Sequence, residues 1–263
     1  MGGTLEYDEA EARREEAIYR TPAAAARRKR VRDLLALDPG ERVCAIGCGP
    51  GFEPLELGRA VGATGQVLGI DRSDAMLSLA ARRCDGQPQV TLSKADARSL
   101  PVPDGAVDAA TAVQVYEYLD DPADALAELA RVLRPGGRAV VCDTDFDSLV
   151  WRSADDERMA RVLDAFDDHC PRPRLGSALA PYLRDAGFRI ERVEPNTMLN
   201  TRLDPGRFAY HLMAFIEDYA ADHEAIGPDE AAAWVADLRE QDEAGGTFFT
   251  VTQYCYLVRK AAR

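Results

Sequence analysis

The chain is short of positive charge. Against 45 Asp and Glu it has only 32 Lys and Arg, a formal net charge of -13 over 263 residues. Such a field repels phosphate backbones and anionic lipid, so nucleic acid and membrane surfaces are set aside as partners and a small molecule is favoured. No apolar run reaches the roughly 18 to 20 residues that a membrane helix needs. Residues 1–20 lack the apolar centre of a secretory signal. The six cysteines (Cys44, Cys48, Cys84, Cys142, Cys170, Cys255) make no CxxC pair. No metal is therefore expected, and the thiols read as reduced and mostly buried in a cytoplasm. Histidine is scarce too, with only His169, His211 and His223.

What is abundant is apolar residue, 46% of the chain, enough for one large core with at most an embedded subdomain. Residues 7–37, rich in Ala, Arg and Glu, read as two helices divided at Thr21-Pro22, a cap followed by a proline at the first helical position. The run Arg27-Arg28-Lys29-Arg30 within them reads as a solvated face. From Glu41 short apolar strands alternate with amphipathic helices. Strands are expected at 43–46, 66–70, 90–92, 106–115 and 138–142, with helices at 53–61, 73–83 and 122–133 between them. That alternation implies a parallel sheet covered on both faces. Further helices at 155–168 and 176–186, a strand at 188–193, two late helices at 207–221 and 228–243 and a closing strand at 247–258 complete it.

The fold class is thus α/β: a Rossmann-like, doubly wound, mostly parallel seven-stranded sheet with an N-terminal helical lid and a helical insertion before the last strand. Its parts are a lid over 1–40, a cofactor-binding core over 41–145, and a C-terminal completion over 146–263 whose segment 204–245 forms an acceptor-binding lid. A homodimer is left open as the assembly.

Gly47-Cys48-Gly49-Pro50-Gly51 follows the first strand, where such sheets bind ligands. A dinucleotide fingerprint would place its third glycine at Phe52, and no G-x-x-x-x-G-K-[ST] occurs, which disfavours pyrophosphate and triphosphate ligands. Asp71 ends the second strand, where a carboxylate accepts hydrogen bonds from a ribose diol; Asp96 follows the third, within reach of an exocyclic amine. Glycines at one strand tip, Asp71 at the next and Asp96 at the third describe a nucleoside with its polar tail over the glycines.

With these residues in place the sequence resembles the class I S-adenosylmethionine-dependent methyltransferases. The matching segments are Val43 to Gly51, Gly69-Ile70-Asp71, Lys94 to Ala97, and Leu126 to Gly137 (LAELARVLRPGG). The last resembles the small-molecule branch that includes ubiquinone and menaquinone biosynthesis methyltransferases. The resemblance implies S-adenosyl-L-methionine as cofactor, with Gly47, Gly49 and Gly51 against its methionine part and Asp71 on the ribose. Arg72 or Met76 would flank the adenine, Asp96 and the Ala97 N–H would read its edge, and Gln114 would sit near the sulfonium. Tyr19 belongs either to a lid over the cofactor or to the packed core. The family's usual acidic residue two positions before the first glycine is Ala45 here, with Glu53 or another carboxylate as the substitute to look for.

Methyl transfer from a sulfonium is an in-line displacement governed mainly by proximity and orientation, so no dedicated base is required. The candidates for one are His211, in the aromatic stretch Phe208 to Phe215 with Tyr210 and Met213, and Tyr116 after the fourth strand, with Glu117, Asp143 and Asp145 nearby. His211 equally fits lid packing, and His169 reads as a helix-end cation. The expected activity is methyl transfer to a small hydrophobic or aromatic acceptor. The alternatives are a nicotinamide-dependent oxidoreductase and a non-catalytic adenosylmethionine-binding protein.

Overall fold

The computed structural model describes residues 16–262, so the start of the helix expected from Tyr7 lies outside the described residues. Residues 16–20 are helical, and α1 (Pro22–Leu35) follows with Thr21 as its cap, the side-chain oxygen accepting from the Ala24 N–H. The alternating core then runs β1 (Arg42–Ile46), α2 (Phe52–Val61), β2 (Gln66–Asp71), α3 (Asp74–Arg83), β3 (Val90–Lys94), β4 (Val107–Val113), α4 (Ala123–Val132) and β5 (Leu133–Trp151). The C-terminal part adds α5 (Asp156–Phe166), α6 (Leu175–Asp185), β6 (Phe188–Asn200), α7 (Phe208–Asp222), α8 (Pro228–Glu243) and β7 (Phe249–Lys260). The seven strands lie in the order β3-β2-β1-β4-β5-β7-β6, parallel from β3 to β5, with β7 antiparallel to both of its neighbours. The strand order reverses between β1 and β4, and this switch point opens a crevice at the carboxyl ends of the strands.

Two strands outrun their sequence pattern. β5 continues through Thr-Asp-Phe-Asp-Ser to Trp151 and β6 continues to Asn200, both paired to β7 through Trp151↔Phe249 and Met198↔Val251. The extension carries a second core beneath α5, α7 and α8. There the Trp151 ring meets Trp234 edge-on at 5.5 Å and Phe249 at 4.7 Å. Backbone pairing to a strand distant in sequence holds these polar segments extended, and no local alternation announces it. The same register sets Cys142 opposite Cys255, where they form a disulfide; Cys44, Cys48, Cys84 and Cys170 are free and buried. The all-thiol expectation is corrected accordingly.

Arg138 fastens α1 to the sheet. Its guanidinium donates to both Glu41 carboxylate oxygens at 2.8 and 2.7 Å, and to the carbonyls of Leu35 and Ala36 at 2.5 and 2.9 Å, acceptors that the helix end leaves without an intrahelical donor. These bonds hold the Glu41 carboxyl below its ordinary range. Arg138→Met is expected to lower stability by about 1 to 3 kcal/mol in urea unfolding at pH 7. Glu41 binds its proton less tightly when folded, so its contribution is present above the ordinary glutamate pKa and lost as pH falls below it. The gap between wild type and variant should therefore narrow at acid pH; a constant gap excludes the carboxylate as the partner that matters.

Candidate functional site

A cavity enclosing about 1410 Å3, its open mouth included, lies over the switch point. One half is walled by the tips of β1 to β3: Gly47, Gly49, Asp71, Arg72, Met76, Asp96 and Ala97. The glycine turn is built for close approach. Gly49 has φ 51°, and a Cβ there would meet the Tyr19 hydroxyl at 3.3 Å. Gly51 has φ 84°, and a Cβ there would stand 2.6 Å from the Ala80 Cα, so this glycine serves α2–α3 packing and not the cavity. Asp71 ties the turn to the second strand: Oδ2 accepts from the Gly49 N–H at 2.8 Å and Oδ1 from the Ser73 N–H at 2.9 Å. Burial raises its carboxyl above the ordinary range against the pull of these bonds. Asp96 is set differently. Arg98 donates to it through Nε at 2.9 Å and its terminal nitrogen at 2.7 Å, holding the carboxyl down at about 2. Asp71 and Asp96 line the same space, and it is open between them.

Tyr19 lines the cavity and stacks parallel to Phe52, with ring centroids 6.2 Å apart. Phe52 in turn carries the Arg83 guanidinium 3.6 Å above its ring. The residue that departs from a dinucleotide fingerprint is thus a packing platform for the N-terminal segment.

The floor below the fourth strand is polar. Gln114, in the left-handed region at φ 54°, donates through its amide to Thr144 Oγ1 at 3.4 Å. Gln253 of β7 donates to the same hydroxyl at 3.2 Å. Both amide oxygens accept from Arg27, Gln253 at 3.2 Å. Arg27 is 3% exposed and Arg28 6%, which corrects the solvated-face reading for these two, while Lys29 and Arg30 are exposed. Arg28 is spent on Glu56 and the Tyr19 carbonyl. Burial lowers the Arg27 pKa while Tyr19, Glu53 and Glu117 support its charge, and among the described residues no carboxylate reaches ion-pair distance. Glu53, buried in the first turn of α2, has its pKa raised by burial and lowered by Thr111, the β4 partner of Ala45, and by Arg27, Arg28 and Arg32.

The other half of the cavity is apolar and aromatic: Ile18, Phe146, Phe166, Phe208, Leu212, Phe215 and Val251, with His169 among them. The α7 residues that face it are 208, 212 and 215, one helical stripe. Both proposed catalytic side chains lie off that stripe or beneath the floor. His211 instead places Nε2 2.8 Å from the Pro205 carbonyl outside the cavity lining, and Met213 packs into the second core. Tyr116 is fully buried in the first core, its hydroxyl without a partner and its pKa raised by burial. Glu117 and Asp143 are likewise sealed below. Both are pushed up by burial, Asp143 further by the neighbouring Glu117, and Glu117 accepts from the Thr144 N–H at 2.5 Å. Asp145 does not line the cavity either. Sequence reasoning passed over Thr144 and Gln253, and read Arg27 as solvated and His169 as a helix-end cation. The only signal for them was that polar residues occur where apolar ones are expected.

The glycine turn and the Asp71 carboxylate fit adenosylmethionine: the one leaves room for backbone approach, the other puts an acceptor group in the lining of the same space. Residues 44–141 match a family model described as a methyltransferase domain. The chain is 36% identical over 226 residues to an uncharacterized 37.1 kDa protein in transposon TN4556 of Streptomyces fradiae, covering 81% of this chain and 66% of that one. It is 40% identical over 111 residues to the 2-phytyl-1,4-naphtoquinone methyltransferase of Synechococcus elongatus, 41% of this chain and 48% of that one. The crystal structure of the [4+2]-cyclase SpnF superposes with a TM-score of 0.60 at 28% identity, covering 91% of this chain and 82% of that one. The chain thus spans about half to two thirds of the length of the two sequence relatives. With the strand order, the glycine turn and the acidic strand tips arranged as above, residues 44–141 are a methyltransferase domain with the class I S-adenosylmethionine-dependent methyltransferase fold.

Proposed function

We propose that the protein transfers a methyl group from S-adenosylmethionine to a small, largely apolar acceptor. One observation carries this reading: the half of the cavity lined by the glycine turn, Asp71 and Asp96 and the aromatic half belong to one continuous space, which Gln114 also lines. The cofactor, when bound, supplies an already activated methyl group. Gly47 and Gly49 would hold its amino-acid part, with the turn braced from behind by Gly51. Asp71 would accept from its ribose hydroxyls. Met76 and Arg72 would enclose its adenine, and Asp96 and the Ala97 N–H would read the adenine edge. Tyr19 would close over it from the N-terminal segment. Phe146, Phe208, Leu212 and Phe215 would grip the acceptor body and keep water out, and the Arg27–Gln114–Thr144–Gln253 floor would orient a polar head. The protein's work on this reading is alignment and exclusion of water.

The relative named a [4+2]-cyclase motivates one rival, a chain that binds the cofactor but rearranges its substrate without consuming it. Product analysis separates the two, because only methyl transfer releases adenosylhomocysteine in step with a product 14 mass units heavier (roughly one CH2). An isomerised product with intact cofactor supports the rival, and cofactor loss without any acceptor product sinks both.

Asp71→Ala is expected to weaken adenosylhomocysteine binding by about 1 to 3 kcal/mol in calorimetry, since the ribose partner and the brace on the Gly49 N–H go together. Gly49→Val should abolish measurable binding while leaving the unfolding midpoint of the unliganded protein within a few degrees. Titration curves matching wild type for both variants would place the cofactor elsewhere.

A further inference from the structure

His169 stands in the apolar half of the cavity with one nitrogen committed and the other bare. It ends the short 3-10 turn after α5, residues 167–169, and is 7% exposed. Nδ1 lies 2.5 Å from the Phe166 carbonyl, an acceptor only, so Nδ1 carries the proton. Nε2 then holds a lone pair. It is buried without a hydrogen-bond partner, in a side chain that lines the cavity. The ring is fixed on its other sides: Phe166 stacks on it at 3.9 Å, Phe146 meets it edge-on at 4.8 Å, and Phe215 at 6.1 Å. A bare acceptor held rigid among hydrocarbon costs on the order of 1 to 3 kcal/mol unless a donor arrives.

Resting on the methyl-transfer reading, we propose that His169 is the catalytic base and that the acceptor is a hydroxyl compound, phenol-like, whose O–H donates to Nε2. The site disfavours an ammonium acceptor, because the buried Arg27 charge and the cofactor's own sulfonium charge both repel a cation. As the oxygen bonds to the methyl carbon, the carbon–sulfur bond breaks with its electron pair left on sulfur, and the hydroxyl proton passes to Nε2. The imidazolium returns that proton to solvent as the products leave. Burial brings the imidazole down to about 4, so it enters the reaction neutral. A weak base suffices here, because the hydroxyl becomes strongly acidic only as the new C–O bond forms.

Two measurements test this. In the acceptor-free protein at pH 7, nitrogen–proton correlation spectra should assign His169 a proton on Nδ1 and none on Nε2; the opposite tautomer overturns the proposal. With a phenolic acceptor that wild type methylates, His169→Phe keeps the stacked ring and should lower kcat by about 100- to 10,000-fold. His169→Gln, which retains a hydrogen-bond acceptor, should lose less. Adenosylhomocysteine affinity should stay within about threefold in both variants, and a thiol acceptor assayed above its own pKa should lose little rate, having no proton to give. A kcat for His169→Phe within tenfold of wild type, or an equal loss with the ionised thiol, overturns the base role and leaves methyl transfer standing. A wild-type protein that methylates none of an acceptor panel overturns both.

Discussion

A guanidinium buried where four elements meet is the constraint around which this molecule is arranged. Arg27 comes from α1, and its amide partners come from the tip of β4 and from β7, which share the Thr144 hydroxyl of β5. A charge taken out of water must be met by hydrogen bonds, and here it is met by neutral amide oxygens with Glu53 and Glu117 set further off. The N-terminal helix cannot leave the sheet without returning that charge to water and stranding two amides. Tyr19 and Phe52 rest on the same attachment, since Arg28 of the next position holds the Tyr19 carbonyl.

The attachment divides the space above the sheet into regions of opposite character. On the side of β1 to β3 the groups offered are backbone N–H, carboxylate and glycine. On the far side they are rings and methyls from α5, α7 and the extended ends of β5 and β7. On the proposed reading, a cofactor with a polar tail and an acceptor with an apolar body would be sorted by solvation, and their reactive ends would meet near Gln114. That residue keeps a left-handed backbone, of a kind tolerated where the surroundings fix it, here by the Gln114 N–H bond to the Cys142 carbonyl at 2.8 Å.

Much of this was written locally. The parallel core was legible because apolar runs and capped helices alternate at short range, and the glycine turn, Asp71 and Asp96 because strand tips are the points where such runs stop. Thr21-Pro22 and Ser73 mark helix starts with side chains that satisfy backbone donors a few residues on. What was misread shares one cause. The arginine run looks solvated until α1 is laid on the sheet. The aromatic stretch of α7 offers Tyr210 and His211 as readily as Phe208 and Phe215 until one stripe is turned inward.

His169 is the sharpest instance of the same division. Its residue type and place after a helix follow from the chain alone, and so does a cationic helix-end reading. That its ring is buried, neutral and bare at Nε2 depends on Phe146 from β5 and Phe215 from α7, which arrive only when distant segments pack. The sequence determined by itself the layered sheet and the glycine and acidic residues at its strand tips, because hydrophobic period, turn chemistry and capping act between neighbours. The tertiary structure alone decided which charges are buried and which ring nitrogen is left without a partner, because desolvation depends on what covers a group.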